Sequence, residues 1–360
     1  MFILGNKLKL SVFGSSHGKY VGGSIDGLPA GISIDYDYSR KWLDRRKPAQ
    51  SEITTQRKED DDVEIIAGIH NGYTDGSPLV FLTKNRDYID RHYDDLYYNP
   101  RPGHADLTMY YKYGDYRNFE GGGFFSGRMT LPLVFAGSIA MRMLRDMNIT
   151  VVSYIKKSMD IVYNNDDDFD EDYPYNFSTR IPDKYLDERL HALIMKTIKE
   201  GDSLGAVIRT RINNVPPGIG EPFFDSIESN ISKAMFSIPA VKGIAFGAGF
   251  NLSNMKGSES NDEFYYDEKD KRIKTRTNNA GGILGGISNG MPIEFDVVVK
   301  PASSIRIKQK TVNLKTLDVS EIIVKGRHDP FIAFRAVPVV QCMSAFIILD
   351  FILEEQHEKH

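Results

Sequence analysis

The sequence predicts an α+β chain with mostly antiparallel sheets. Short apolar runs of strand character, punctuated by glycine, mix with three amphipathic helical stretches. Their order shows no regular strand–helix–strand repeat of the kind that builds a parallel sheet. No fixed-period internal repeat occurs. At roughly 150 residues per domain, the 360 residues correspond to about two domains or one large unit.

Along the chain, LKLSVFG and GGSIDGLPAGISID read as strands between glycine turns, and YSRKWLDRR (38–46) reads as helix. VEIIAGIHNG and SPLVFLTKN read as two short strands joined by a turn. TLPLVFAGSIAMRMLRDMNI (130–149) is the best amphipathic helix, with Pro132 tolerated near its first turn. ITVVSYIKKSMDIV reads as one or two strands, and residues 183–203 as a helix ending near Gly201. SLGAVIRTRINNVP is a strand, 221–238 a third helix, and AVKGIAFGAGF and MPIEFDVVVKP are strands. Residues 336–353 form the most apolar tract. Pro338, Gln341 and Asp350 interrupt it, so it reads as buried core, helix or strand-to-helix, rather than a membrane span. Two stretches read as loops: an acidic surface loop near 164–175, with six acids from Asp166 to Asp172, and a mobile charged excursion near 258–279. The acidic loop lacks the glycine of a calcium-binding loop, so no metal site is predicted there.

Lys and Arg number 45 against 49 Asp and Glu, a net charge of −4. That balance excludes a general nucleic-acid coat or a membrane-surface binder, but it allows a local basic pocket. The single cysteine, Cys342, excludes an intrachain disulfide and a cysteine-based zinc site. With no secretory signal in the first residues, a cytoplasmic location is expected.

Four glycine- or proline-rich islands carry candidate chemistry. FGSSHG (13–18) offers Ser15, Ser16 and His17 in a turn whose small residues allow close backbone approach, and an imidazole ordinarily titrates near neutrality. RPGHAD (101–106) places Arg101, a potential carboxylate or phosphate fork, beside His104, with Asp106 able to orient the imidazole. EGGGFFSGRMT (120–130) leads three glycines into Ser126 and Arg128 just before a helix, an arrangement suited to anions; it is not a Walker A loop. GRHDP (326–330) joins Arg327, His328 and Asp329, and KPASSI (300–305) could hold a phosphate through Lys300, Ser303 and Ser304. TNNAGGILGG (277–286) lacks the Rossmann glycine spacing, which weakens a nicotinamide reading.

The order and spacing of these islands, with DRRKPAQSEITTQRKEDD, GYTDGSPL, KYGDYRNFEGGG, GDSLGAVI, PPGIGEPFFD and GRHDPFIAFRAVPVVQCM, resemble the chorismate synthase family along nearly the whole chain. The resemblance implies one large domain over 1–360, with helices sandwiched between antiparallel β-sheets. It implies the 1,4-anti-elimination of phosphate from 5-enolpyruvylshikimate 3-phosphate to give chorismate, using reduced FMN. A homotetramer and a phosphorylated small-molecule substrate are expected. Some members reduce their own flavin with a nicotinamide cofactor (NADP). No added reductase region is evident here, so an external flavin reductant is expected. By resemblance, His17 sits by the leaving phosphate, His104 near the flavin, and Asp329 near its N5, with Ser16 and Ser126 in support. Arg46, Arg101, Arg128 and Arg327 would hold the substrate's anionic groups, with Arg45 and Arg57 as further cations. Ser126, Asn278, Gly285, Lys300, Pro301, Ala302, Ser303, Ser304 and Arg327 would hold FMN. The ligands together carry roughly six to seven negative charges, so a strongly cationic pocket is expected.

The chain departs from the family's usual residues at Ser15, Glu52, Phe124, Phe125 and Met129. Losing a charge-assisted bond to the flavin would cost about 1.5–3 kcal/mol, whereas replacing a charge pair by apolar contact can be neutral. The active enzyme is the favoured reading, and a non-catalytic flavin- or anion-binding relative is the alternative.

Overall fold

The computed structural model describes residues 2–48, 61–85, 96–165, 167–324 and 329–358. Two five-stranded sheets enclose a layer of helices. The first sheet contains Ile3–Leu4 (β1), Lys9–Gly14 (β2), Tyr20–Asp26 (β3), Glu64–Ala67 (β4) and Leu79–Lys84 (β5), in the order β1-β2-β3-β5-β4. The second contains Thr150–Ser158 (β6), Ile161–Val162 (β7), Ala206–Asn213 (β8), Val241–Phe246 (β9) and Ile293–Val299 (β10), in the order β9-β10-β8-β6-β7. Every strand pairing in both sheets is antiparallel. The α+β reading from sequence therefore holds.

Periodicity explains which faces turn inward. β8 alternates buried and half-buried residues throughout, with Ile208, Thr210 and Ile212 inside. The buried Thr210 hydroxyl meets that of Ser153 on β6 at 2.8 Å, so the polar pair satisfies itself. Helix α1 (Tyr36–Arg46) starts at Asp35, whose carboxylate accepts from the Tyr38 amide, and buries Trp42 and Leu43. Two helices form the centre, Thr130–Asp146 (α3) and Ala333–Glu358 (α6), with Asp106–Tyr113 as α2, Lys184–Glu200 as α4 and Ile227–Ser237 as α5. α3 is buried nearly all round, as its composition requires. It crosses α6 closely at Gly137, where an added Cβ would lie 2.4 Å from the Cys342 Cβ. α6 settles the ambiguous C-terminal tract as helix. Its Ala333–Gln356 stretch is long and apolar enough to cross a membrane, but 94% of its most apolar window is buried inside the protein. The polar residues that interrupt this tract are satisfied internally. Gln341 donates to the Val151 carbonyl at 2.6 Å and accepts from the Tyr175 hydroxyl at 2.9 Å. Asp350 accepts from the amides of Asn6, Lys7 and Leu8, pinning the β1–β2 turn.

The third predicted helix begins later than its pattern suggests. Phe223 takes a φ of 60°, outside the helical range, and Ser226 caps α5 by accepting from the Ser229 amide. The charged stretch near 258–279 is not a plain loop: Phe264–Asp267 and Arg272–Thr275 pair as a hairpin. Its aromatic and β-branched residues outweigh the charged turn between them. The acidic loop is also partly inward. Glu171 accepts from the Tyr38 hydroxyl at 3.0 Å, and Asp172 holds Lys41 and Arg45.

Candidate active site

Within the described residues, FGSSHG, RPGHAD, EGGGFFSGRMT and KPASSI meet one another. FGSSHG follows β2, and EGGGFFSG precedes α3. The Ser16 amide donates to the Gly123 carbonyl at 3.1 Å, tying the two loops together. Gly121 shows how closely they meet. Its φ is 58°, and a Cβ there would sit 1.9 Å from two His17 ring atoms and 3.0 Å from the Ser16 hydroxyl. The next residue touches the second imidazole: a Cβ on Gly122 would lie 3.6 Å from His104 Cε1 and 3.9 Å from the Ser126 Cβ. His17, His104, Ser16 and Ser126 are thus gathered around one glycine pair. The Ser126 hydroxyl accepts from the Arg128 amide at 3.3 Å, shaping the turn that feeds α3.

The RPGHAD loop is internally braced. Asp106 accepts from Arg101 Nε at 2.7 Å and Nη2 at 2.8 Å, and lies 2.6 Å from His104 Nδ1. Burial alone would raise the Asp106 carboxyl. Its hydrogen bonds from Arg101, then from His104, outweigh burial and hold it well below the usual range. Arg101 Nη2 also lies 3.1 Å from His104 Nδ1, so that ring nitrogen is faced by both the Asp106 carboxylate and the Arg101 guanidinium. Arg101 braces His104 directly and through Asp106.

KPASSI docks on the same loop. Arg101 Nη1 donates to the Ser304 hydroxyl at 3.1 Å. Lys300 Nζ donates to the Gly103 carbonyl and, at 2.8 Å, to the Ser303 hydroxyl. Ser303 also donates to the Gly103 carbonyl at 2.8 Å. The Ala302 carbonyl accepts from Ser203, and Pro301 packs where a Cβ on Gly205 would fall. Burial, then nearby Lys242, lowers the Lys300 ammonium below its ordinary value. Lys300 with Ser303 beside it, and Ser304 held by Arg101, bring together groups of the kind that bind a phosphate monoester.

Beneath lies a buried ion network whose centre the sequence reading missed. Asp61 accepts from Arg46 Nη2 at 2.5 Å and from Arg128 Nη1 in a shorter contact. Burial pushes the Asp61 carboxyl up, but Arg46 and Arg128 more than reverse this and hold it below its usual value. Arg128 Nε donates to Asn85 Oδ1 at 3.0 Å, and Asn85 Nδ2 donates to the carbonyls of Ser15 and Gly18 around His17. On the other side, Arg335 donates through Nε to the Arg46 carbonyl at 2.9 Å and through Nη1 to Asp329. Asp329 is thereby connected to the His17 loop. Asp61 and Arg335 lie inside the quoted motifs QRKEDD and FRAV. No spacing rule singles them out, and only the fold shows that both meet Arg46, Asp61 at its guanidinium and Arg335 at its backbone carbonyl.

Among the described residues of this cluster, the cations Arg46, Arg101, Arg128, Arg335 and Lys300 face the carboxylates Asp61, Asp106 and Asp329. Each of these four arginines is matched with a carboxylate, Arg46 and Arg128 sharing Asp61. Arg57, Arg327, His328 and Glu52 lie outside the described residues. Ser15 is buried, and its hydroxyl accepts from Asn118 at 3.2 Å. Phe124 packs edge-on against Phe2 and Tyr113 and tilted against Phe125, so the Phe-Phe departure forms an aromatic cluster.

Asn278 and Gly285 are not brought to Lys300 within the chain. Asn278 donates to the Pro292 carbonyl, at the start of β10, whereas Lys300 follows its end. Roughly 25 Å of extended strand separates them. Asn278 Oδ1 is buried without a hydrogen-bond partner, and a Cβ on Gly285 would meet open space. A separate cavity of about 520 Å³ opens near that far end, lined by Arg145, Arg211, Arg272, Asp170, Glu171 and other residues. Neither imidazole of the loop cluster lines it, so the acid–base chemistry lies elsewhere.

The fold and this cluster define a layered α+β protein that sets acid–base side chains beside several anion-binding groups. The profile of the chorismate synthase family matches residues 8–353. The chain is 44% identical to the chorismate synthase of Korarchaeum cryptofilum over 355 residues, covering 98% of this chain and 97% of the relative. It is 41% identical to that of Methanocaldococcus jannaschii, covering 97% and 96% of the two chains. A crystal structure of a chorismate synthase superposes with a TM-score of 0.76 at 26% identity, covering 98% of this chain and 93% of the other. The chain belongs to the chorismate synthase family.

Proposed function

We propose that the protein eliminates phosphate from 5-enolpyruvylshikimate 3-phosphate to form chorismate, with reduced FMN, as a carbon–oxygen lyase of aromatic amino acid biosynthesis in the cytoplasm. The observation that carries this reading is the meeting of His17 and His104 across Gly121 and Gly122, with Arg128 and Asp329 tied into the same network.

The reaction breaks the C3–O bond to phosphate and a C6–H bond, and leaves a second ring double bond. When bound, reduced FMN supplies transient electron donation to a reaction that is redox-neutral overall. Lys300, Ser303 and Ser304 are the groups that would hold its phosphate. His17, as the imidazolium, donates to the departing phosphate oxygen, while Arg46 and Arg128 balance the charge that develops there. Asp106 and Arg101 hold the His104 ring at Nδ1, which fixes its orientation and leaves Nε2 on the Gly122 side. Asp329 stands as the carboxylate nearest the base step, and Arg335 fixes its orientation. The assembly is read as a homotetramer supplied by an external flavin reductant. Asn278 and Gly285 then belong to a flavin site completed by a neighbouring copy.

The test is an anaerobic assay of purified protein with chemically reduced FMN. Chorismate and inorganic phosphate should form in equal amounts without net flavin oxidation. Tight flavin binding without product would support the non-catalytic alternative.

A further inference from the structure

We infer that Asp61 is a positioning residue: its carboxylate locks the guanidiniums of Arg46 and Arg128 into the orientation that receives the phosphorylated substrate. The inference rests on the functional reading above. Asp61 has a side-chain exposure of 0%, against 2% for Arg46 and 5% for Arg128. Two guanidiniums this close and this dry would repel each other, and a carboxylate between them turns repulsion into attraction on both sides. It occupies one nitrogen of each fork, a two-point clamp that a neutral side chain cannot reproduce.

The backbone supports the same view. Asp61 has a φ of 50°, in the left-handed region that a non-glycine residue enters at a cost. Such positions persist where the surroundings over-determine them, and they cluster at functional sites. The clamp also has reach. Through Arg128 and Asn85 it touches the carbonyls flanking His17, and through the Arg46 backbone and Arg335 it touches Asp329. The two ends of the proposed chemistry are therefore set from one buried carboxylate.

Full-length D61N and wild type test this with two readouts. The first is kcat and KM for 5-enolpyruvylshikimate 3-phosphate under anaerobic conditions with reduced FMN. The second is NMR of the arginine guanidinium groups in the free protein, where a locked group shows separate, slowly exchanging Nη–H signals. The expected result is a fall in kcat of about 30-fold or more with KM changed less than fivefold, together with averaging of the Arg46 and Arg128 signals. D61E keeps the charge, and should recover part of the rate and of the resolved signals. If D61N does not fold, D61E decides alone: a fivefold or greater drop in kcat supports the clamp, and a wild-type rate overturns it. A D61N enzyme with wild-type kcat overturns the proposal, as does a slow D61N enzyme whose guanidinium signals are unchanged. An inactive wild type would overturn the functional reading instead, while the NMR comparison would still show whether Asp61 locks the two arginines.

Discussion

Asp61 and Asp172 each hold two cations, and the two sites differ chiefly in water. Asp61 is sealed between Arg46 and Arg128. Asp172, at 51% side-chain exposure, accepts from Lys41 at 2.9 Å and Arg45 at 2.6 Å. Both carboxyls are held below their usual value. At Asp172 water competes for the carboxylate and for Lys41, while Arg45 is largely covered, its guanidinium 3.7 Å from the Tyr175 ring centroid. In the interior no such competitor exists, so removing one member strands the others. Helix α1 joins the two sites, since Arg45 and Arg46 are adjacent residues pointing to opposite ends of this contrast. The same sequence pair thus holds a half-exposed carboxylate and a sealed one, and the burial of the carboxylate rather than residue type separates the two sites.

The comparison breaks most sharply at the chemistry the buried network supports. His17→Ala should lower kcat by about 10²- to 10⁴-fold with little change in thermal stability, read by anaerobic phosphate release. An unchanged rate would mean that the buried end is only structural. Next in size, Arg46→Met should cost about 3–5 kcal/mol in urea unfolding, because it leaves part of the Asp61 charge unpaired. Asp106→Asn should cost about 1.5–3 kcal/mol near neutrality through the lost charged hydrogen bonds. The pH dependence has a definite sign. The folded-state Asp106 carboxyl lies below its unfolded value of about 3.9, so its stabilisation is complete above that pH and fades as pH falls through the folded value. The gap in melting temperature between wild type and Asp106→Asn should therefore persist from pH 7 to about 5 and close at lower pH. A gap that widens on acidification would reverse the assignment. The smallest effect belongs to the surface: Asp172→Asn should cost less than about 1 kcal/mol, and less again in high salt. A larger loss would erase the contrast between the two sites.

Much of this architecture was legible in the sequence for identifiable reasons. The apolar run 130–149 marked α3, and SLGAVIRTRINNVP read as the strand that forms β8. Gly201, in the left-handed conformation, ends α4 where its position suggested. The start of α5 was misplaced because Pro222 and two phenylalanines, 86% and 92% exposed, mimic the apolar pattern of a helix. At the site, the imidazoles were legible because glycine and proline isolate them in loops. Asp61, Asn85 and Arg335 were not: Asp61 lies in a charged run that looks solvated, Asn85 is a lone amide after a strand, and Arg335 is a single charge in an apolar run, and only tertiary contacts show what each meets. Arg46, Arg101 and Arg128 read alike from sequence, and only the fold shows their different wiring: Arg101 bonds Asp106 and faces His104, while Arg46 and Arg128 share Asp61.

The most direct test is an experimental structure with substrate and FMN bound. The substrate phosphate should lie between His17 and the Arg46–Arg128 pair, and the flavin phosphate at Lys300–Ser304. Ligands seated instead in the cavity of Arg145, Arg211 and Arg272, with the glycine loops untouched, would contradict the account.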